Sequence, residues 1–337
     1  MTSRPRKADL SPEQARALLK PIGEVTVRAV TRAATANDVF QVTTETHGAF
    51  YVKFHTARWY ADQADTSFVA AREAAVHDLL RKRGMPLPYP GWADLSRTIV
   101  PAPVYVCGEL PGLPVTEILA RWPGEMFAVM HALGTYLRGL HDIIFTTPGI
   151  LGPEHVQLAP PEGPVPPVAA WDKHAMHHPK HFQRFALEKL DETAHKGLIA
   201  PETENALRAL FERMAETIRT DYTPPRFTVG NCHVWHFHMQ PVGGQWTVSG
   251  FYDFEAVSAG DATIDLVEIE DTLVPKIKTF AWRTPFFSGY GRAPAFEGYK
   301  MRLLYYLLHD LSRFGAPWPE QKWDGLVRAG KWEELVW

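Results

Sequence analysis

Between Phe227 and Glu255 the chain reads FTVGNCHVWHFHMQPVGGQWTVSGFYDFE, and no other segment says as much about the architecture. A β-hairpin signal lies at its centre, Pro241-Val242-Gly243-Gly244, flanked by the extended runs Phe237–Gln240 and Gln245–Tyr252. With Gln240 opposite Gln245, antiparallel register carries Asp253 opposite Cys232, next to Asn231. Polar and metal-capable groups therefore gather at the open end of one hairpin: Asn231, His233 and His236 on the incoming side, Asp253 on the outgoing side. The Asp253 carboxylate offers the hard oxygen that Mg²⁺ prefers. Further on, Gly260-Asp261 precedes Thr263-Ile264-Asp265-Leu266, a turn followed by an acidic helix.

Upstream of the hairpin the pattern is different. A helix start is readable at Leu10–Lys20, with Ser11 as N-cap, Pro12 at the first helical position and Glu13 and Gln14 in the first turn. Val39, Phe40 and Val42 run into a turn ending at Gly48, and Ala49–Phe54 returns as a second strand. In that strand Phe50, Val52 and Phe54 share one face, Tyr51 and Lys53 the other. A lone Lys opposite an apolar stripe reads, by itself, as solvated. Phe68–Arg83 is predicted helical, with Val69, Val76, Leu79 and Leu80 at helical spacing and Gly84 as its stop. An extended run, Thr98–Val106, leads into Cys107–Pro114, where two Gly and two Pro mark a break. The boundary is placed there: an N-terminal lobe over 1–107 and a C-terminal lobe over 108–337.

Past the break, Met126, Met130, Leu133, Leu137 and Leu140 trace one helix face ending near His141. A Pro-rich loop at Leu158–Val168 precedes two predicted helices, Trp171–Gly197 and Pro201–Thr220. The first of them carries His174, His177, His178 and His181. Lys300–Phe314 is helical again. The fold class is α+β: a small β-rich lobe with one helix, then a larger helical lobe interrupted by one hairpin. Strand and helix do not alternate throughout, which excludes a doubly wound α/β domain.

Composition narrows the function classes. The chain has 337 residues with 35 Lys+Arg against 38 Asp+Glu, a net charge of −3, so it lacks the basic surplus of a general nucleic-acid binder. Apolar residues make up 45% and charged residues 22%, a globular rather than a disordered balance. No apolar run approaches a membrane span and no secretory h-region follows the N-terminus. The two cysteines, Cys107 and Cys232, are too few for a disulfide scaffold and point to a reducing, cytoplasmic setting.

Seven segments in order resemble the aminoglycoside phosphotransferase and choline kinase family of small-molecule kinases. They are FYVKF around Lys53, REAAVHDLL around Glu73, ELPGLPV from Glu109, LRGLHD ending at Asp142, VGNCHVWH from Val229 with YDFE after it, GDATIDL from Gly260, and FFSGYG from Phe286. The resemblance implies a bilobal, protein-kinase-like fold that uses ATP or GTP with Mg²⁺ to phosphorylate a hydroxyl of a small molecule. It also implies roles. Lys53, held by Glu73, meets the nucleotide phosphates; backbone groups of Val106, Gly108 and Glu109 meet the base; Asp253 and His236 hold the metal. Asp261 braces the catalytic loop, and inserted helices near His174–His181 help build the acceptor pocket. No A-P-E segment follows Asp253, which argues against protein-serine/threonine activity.

The family pattern H-G-D-x-H-x-x-N is broken three times in VGNCHVWH. Val229 stands for the first His, Asn231 for the catalytic Asp and His236 for the metal-binding Asn. An amide does not accept a proton as a carboxylate does, although a loose phosphoryl-transfer transition state needs little base help. Three readings of Asn231 stay open: a degenerate pseudokinase that binds nucleotide or a small molecule, an active kinase with His233 or another group as base, and a deliberate Asp→Asn change. The segment Arg28–Asp38 also lacks the glycines of a phosphate loop. A competing chemistry is a metal-dependent hydrolase built on His233, His236 and His238 with Asp253. Glu268, Glu270 and Asp271, with Trp235 and Trp282, suit a cationic acceptor such as an amino sugar, aminoglycoside or choline-like alcohol; the alternative is an exposed acidic helix face.

Overall fold

The computed structural model describes residues 9–33, 38–56, 66–146, 148–152, 179–315 and 320–337. The tip of the glycine-free segment at 34–37, the Pro-rich loop, and His174, His177 and His178 lie outside the described residues. The described residues fall into two compact units: those of Met1–Gly112, Leu151–Glu162 and Ser249–Glu255, and those of Leu113–Ile150, Gly163–Val248 and Ala256–Trp337. No helix among the described residues is long and apolar enough to cross a membrane.

The first unit opens with α1 (Pro12–Leu18), capped as its sequence predicts. Gln14 N–H donates to the Ser11 hydroxyl at 3.2 Å, and the Gln14 side chain accepts from Ser11 N–H at 3.0 Å. This reciprocal pair satisfies two otherwise orphaned helix N-terminal donors. Strands β1 (Val27–Arg32), β2 (Asp38–Thr44), β3 (Ala49–Phe54), β4 (Gly91–Asp94) and β5 (Val104–Gly108) form an antiparallel sheet in the order β1-β2-β3-β5-β4. Phe40, Phe50, Val52, Phe54, Val104 and Val106 are buried in one core with Leu18 and Leu19 of the α1 end. Helix α2 (Ser67–Lys82) packs against β4 and β5.

The second unit is mostly helical. It contains β6 (Leu113–Pro114), α3 (Val115–Arg121), α4 (Met126–His141), β7 (Gly149–Ile150), α5 (Pro179–His195), α6 (Pro201–Phe211) and α7 (Met214–Thr217). Then come β8 (Arg226–Thr228), β9 (Phe237–Val242), the start of β10 (Gln245–Phe251), β11 (Ser258–Gly260), α8 (Thr263–Ile277), α9 (Arg283–Tyr290), α10 (Phe296–Phe314) and α11 (Glu320–Arg328). Small sheets run β7-β11-β8 and β10-β9-β6. The single helix expected over Pro201–Thr220 is broken into α6, α7 and a 3₁₀ turn at Arg219–Tyr222. Leu207, Leu210, Phe211, Met214 and Ile218 stay buried across the breaks, so apolar spacing alone does not reveal them. Helices α4 and α9 cross at backbone distance. A Cβ on Gly134 would lie 2.1 Å from the Phe286 carbonyl oxygen, and one on Gly289 would lie 2.0 Å from that of His131. Gly289, the first glycine of FFSGYG, is therefore a packing residue.

Candidate active site

Lys53 lies on β3 and is 9% exposed, which corrects its solvated reading. Three carboxylates converge on its ammonium: Glu73 Oε1 at 3.2 Å, Glu255 Oε2 at 2.8 Å, and Asp253 Oδ1 in the closest contact of the three. Burial by itself pushes a Lys ammonium down, but Asp253, Glu255 and Glu73 together outweigh it and hold Lys53 well above its usual value. Glu73, on the buried face of α2, is shared: Oε1 also accepts from Phe254 N–H at 3.1 Å and Oε2 meets His55 Nε2 at 2.6 Å. Burial raises its carboxyl, yet Lys53 and His55 bring it below the ordinary range. Glu255 goes the other way, because burial with the Asp253 and Glu73 charges exceeds the pull of Lys53.

Asp253 adopts φ 76°, a left-handed conformation that costs a non-glycine residue about 1–2 kcal/mol. The turn sends Phe254 into the core, against Phe251 at 4.7 Å and Tyr105 at 6.3 Å, while the carboxylates on either side of it meet Lys53. Three carboxylates against one ammonium leave a local surplus of negative charge, and carboxylate oxygens are the donors Mg²⁺ takes. Asp253 and Glu255 carry oxygens of that kind, here turned to Lys53.

Val106 pairs with Val52 of β3 and Trp92 of β4. At the end of β5, three successive amides are already bonded: Gly108 N–H to the Pro90 carbonyl at 2.8 Å, Glu109 N–H to that of Ala49 at 3.0 Å, and Leu110 N–H to the Tyr252 hydroxyl at 2.6 Å. Glycine at 108 follows from packing, since a Cβ there would lie 2.2 Å from the Tyr89 carbonyl oxygen.

In the second unit, the loop Val229–His236 is gripped by its backbone. Val229 and Gly230 N–H donate to the two Asp265 oxygens at 2.6 and 3.0 Å; Cys232 N–H donates to Glu268 Oε2 at 2.7 Å, and Val234 N–H to Thr272 Oγ1 at 3.2 Å. Residues 265, 268 and 272 recur at helical spacing on one face of α8. Asp265 is held in turn by His141 Nε2 at 3.0 Å, whose Nδ1 meets the Tyr290 hydroxyl at 2.9 Å. A Cβ on Gly230, where φ is 68°, would lie 2.4 Å from the Ala256 carbonyl oxygen.

The Asn231 carbonyl accepts from His233 N–H at 2.8 Å and bonds His236 Nδ1 at 3.1 Å. A carbonyl has no proton to give, so His236 Nδ1 carries one, and in the neutral ring the lone pair sits on Nε2. The His233 ring lies 5.2 Å from that of His236 and 4.6 Å from Trp235. Burial and His236 push His238 down to about 4. Among the described residues no group of three or more His, Cys, Asp or Glu is arranged to hold a metal ion, which applies to the His233/His236/His238 cluster and to the carboxylates around Lys53 alike. His236 belongs to the second unit and Asp253 to the first.

The acidic stretch of α8 also needs correction. Glu268 holds the loop and accepts from the Tyr306 hydroxyl at 2.9 Å; Glu270 pairs with Arg283 and accepts from the Tyr299 hydroxyl at 2.8 Å. Neither forms an exposed acidic face. Trp282 is fully buried against Phe286. Asp261 caps Thr263 N–H at 2.9 Å and binds buried Arg302, so it braces α8 and α10, and Asp265 is what braces the loop. Sequence reasoning missed Glu255, His55, Tyr252 and Thr272. A signal existed for α8: Ile264, Leu266, Val267, Ile269 and Leu273 surround the axis, and a helix apolar on all sides is buried, so its carboxylates need partners.

The sequence profile of the phosphotransferase enzyme family (APH) matches residues 29–304; the chain belongs to that family. Among curated proteins none matches. The fold is similar to that of APH(2'')-IIIa in its GDP and kanamycin complex (12% identity, 93% of this chain and 95% of that one covered, TM-score 0.59). It is also similar to a thermostable APH(4)-Ia with ADP and hygromycin B (12%, 93% and 97%, TM-score 0.56), and to APH(3'')-Id of Streptomyces rimosus with ADP and streptomycin (15%, 83% and 92%, TM-score 0.51). The architecture is kinase-like and α+β.

Proposed function

We propose that this protein transfers a phosphoryl group from ATP or GTP to a hydroxyl of a small cationic molecule, an amino sugar or a choline-like alcohol. The observation that carries the reading is Lys53 gripped by Glu73 and Asp253, the latter 200 positions away in sequence. Lys53, Glu73, Asp253 and Glu255 all belong to the first unit.

In this reading Lys53 supplies fixed positive charge to the nucleotide phosphates, and Glu73 keeps it in place. Asp253, with Glu255 beside it, would hold Mg²⁺, which when bound offsets phosphate charge; the resemblance implies His236 as a second ligand. Asn231 orients the acceptor hydroxyl through its amide, and the imidazole of His233 takes the proton. Positioning and charge neutralisation carry most of such a reaction. Burial and neighbouring Asp310 push the Asp271 carboxyl up to about 7, and a cation beside that pair would offset their mutual repulsion.

Thermal-shift titration tests the shared part: at 100 times its Kd a ligand stabilises the folded state by about 2.7 kcal/mol, and ATP and GTP with Mg²⁺ are expected to raise the midpoint. Transfer of labelled γ-phosphate across a panel of amino sugars and alcohols then identifies the acceptor. A midpoint unmoved by any nucleotide removes the proposal. Asn231 favours a second reading, nucleotide binding without transfer. Asn231→Asp adds to this: a gain of at least tenfold in rate marks a base lost at this position, whereas no change fits His233 as base or a pseudokinase, and those two are separated by the labelled-phosphate transfer.

A further inference from the structure

We infer that the segment Tyr252–Glu255 is a built-in competitor for the nucleotide, and that the Tyr252 hydroxyl sets how tightly a nucleobase is held. The inference rests on the nucleotide-binding reading above. A nucleoside triphosphate presents acceptor nitrogens at one end and anionic oxygens at the other. The segment presents the same two chemistries. At one end the Tyr252 hydroxyl oxygen accepts from Leu110 N–H at 2.6 Å. The preceding donors, Gly108 and Glu109 N–H, are taken by the carbonyls of Pro90 and Ala49. At the other end Asp253 and Glu255 bind the Lys53 ammonium.

The Tyr252 contact is supported on several sides. Its ring packs edge-on against Tyr51, with centroids 5.4 Å apart. The Tyr51 hydroxyl donates to Glu109 Oε1 at 3.3 Å, and that oxygen also accepts from Gln41 Nε2 at 3.0 Å. On the other side of the segment, the Ser249 hydroxyl donates to the Pro111 carbonyl at 2.6 Å, and Arg72 Nη1 donates to the Glu255 carbonyl at 2.6 Å. The segment is thus pinned at both ends, across strand end and helix, by contacts independent of the two that a nucleotide would need. A ligand that must displace a resident group binds with an apparent Kd equal to its intrinsic Kd divided by the fraction of molecules in which the group has moved away.

Tyr252→Phe keeps the ring on Tyr51 and removes only the oxygen. It is expected to bind ATP and adenosine at least tenfold more tightly than the unaltered chain in calorimetric titration, with tripolyphosphate unchanged. Glu255→Gln relieves the opposite end and is expected to tighten tripolyphosphate and leave adenosine alone. Circular dichroism and the thermal midpoint establish that each variant is folded. In the free protein the Leu110 amide is expected to exchange slowly, and faster in Tyr252→Phe. If the unaltered chain binds ATP and a folded Tyr252→Phe binds ATP and adenosine no more tightly, the competitor is overturned and the nucleotide reading stands. If neither chain binds any nucleotide at millimolar concentration, the nucleotide reading falls and the competitor falls with it.

Discussion

Lys53 shows how one side chain carries the charge balance of its surroundings. Deleting one partner of a buried ion pair costs about 3–5 kcal/mol, because the remaining charge is left unpaired. Lys53→Met strands Glu73, Asp253 and Glu255 together, so a loss of about 3 kcal/mol is expected in urea denaturation; adding Glu255→Gln recovers part of it. Glu268 governs a different property. Burial first, then the Asp265 charge, push its carboxyl from 4.5 up to about 8. Between those values the folded chain holds a proton that the unfolded chain has released. The Glu268 contribution is therefore full below pH 4.5 and is lost as pH rises toward 8, at up to about 1.4 kcal/mol per pH unit. Glu268→Gln, whose amide oxygen still accepts from Cys232 N–H, is expected to flatten the stability profile between pH 5 and 8. An unchanged slope would assign the effect elsewhere.

At the scale of elements, α8 organises the loop. Asp265→Ala leaves Val229 and Gly230 N–H without their acceptor and His141 without its partner; unsatisfied buried donors cost about 1–3 kcal/mol each. A stability loss of that order is expected, with faster amide exchange confined to Val229, Gly230 and their neighbours. The α4–α9 crossing gives a packing counterpart. Gly289→Ala drives a methyl against the His131 carbonyl oxygen and is expected to lower stability by roughly 1–3 kcal/mol, read from the urea midpoint. Elements with a local code were legible: the Ser11 cap, the turn at Gly48, the α4 stripe and the Gly243-Gly244 hairpin each reflect neighbours in sequence. The pairing of Lys53 with Glu73 was accessible only through resemblance. Glu255 and Tyr252 were not legible, because their partners lie far along the chain. Glu268 and Glu270 were misread because charge pattern does not report burial.

For the whole molecule, the two cysteines are placed as independent probes. Cys107 lies in the first unit and Cys232 in the second, and burial first of all pushes both thiols above their ordinary value. A buried protonated thiol is unreactive. Neither is expected to react with a thiol reagent at pH 8 until its unit opens, and both react in denaturant. Labelling followed site by site should give two rates, one for each unit. ATP with Mg²⁺ should slow the Cys107 rate more than the Cys232 rate, since Lys53 and its partners belong to the first unit; equal slowing would mean that the nucleotide does not engage that unit preferentially.

The grip on the loop at Val229–His236 has an evolutionary corollary. Its shape is fixed by main-chain amides plugged into Asp265, Glu268 and Thr272, and every amino acid except proline brings the same amide. Away from Gly230, where a Cβ would meet the Ala256 carbonyl oxygen, its side chains can be exchanged without the loop losing these amide contacts. Val229, Asn231 and His236 stand where the resemblance implies His, Asp and Asn, and a loop held this way keeps its mould while its chemical contents differ. New reactivity can thus be tried on this scaffold at little cost in folding.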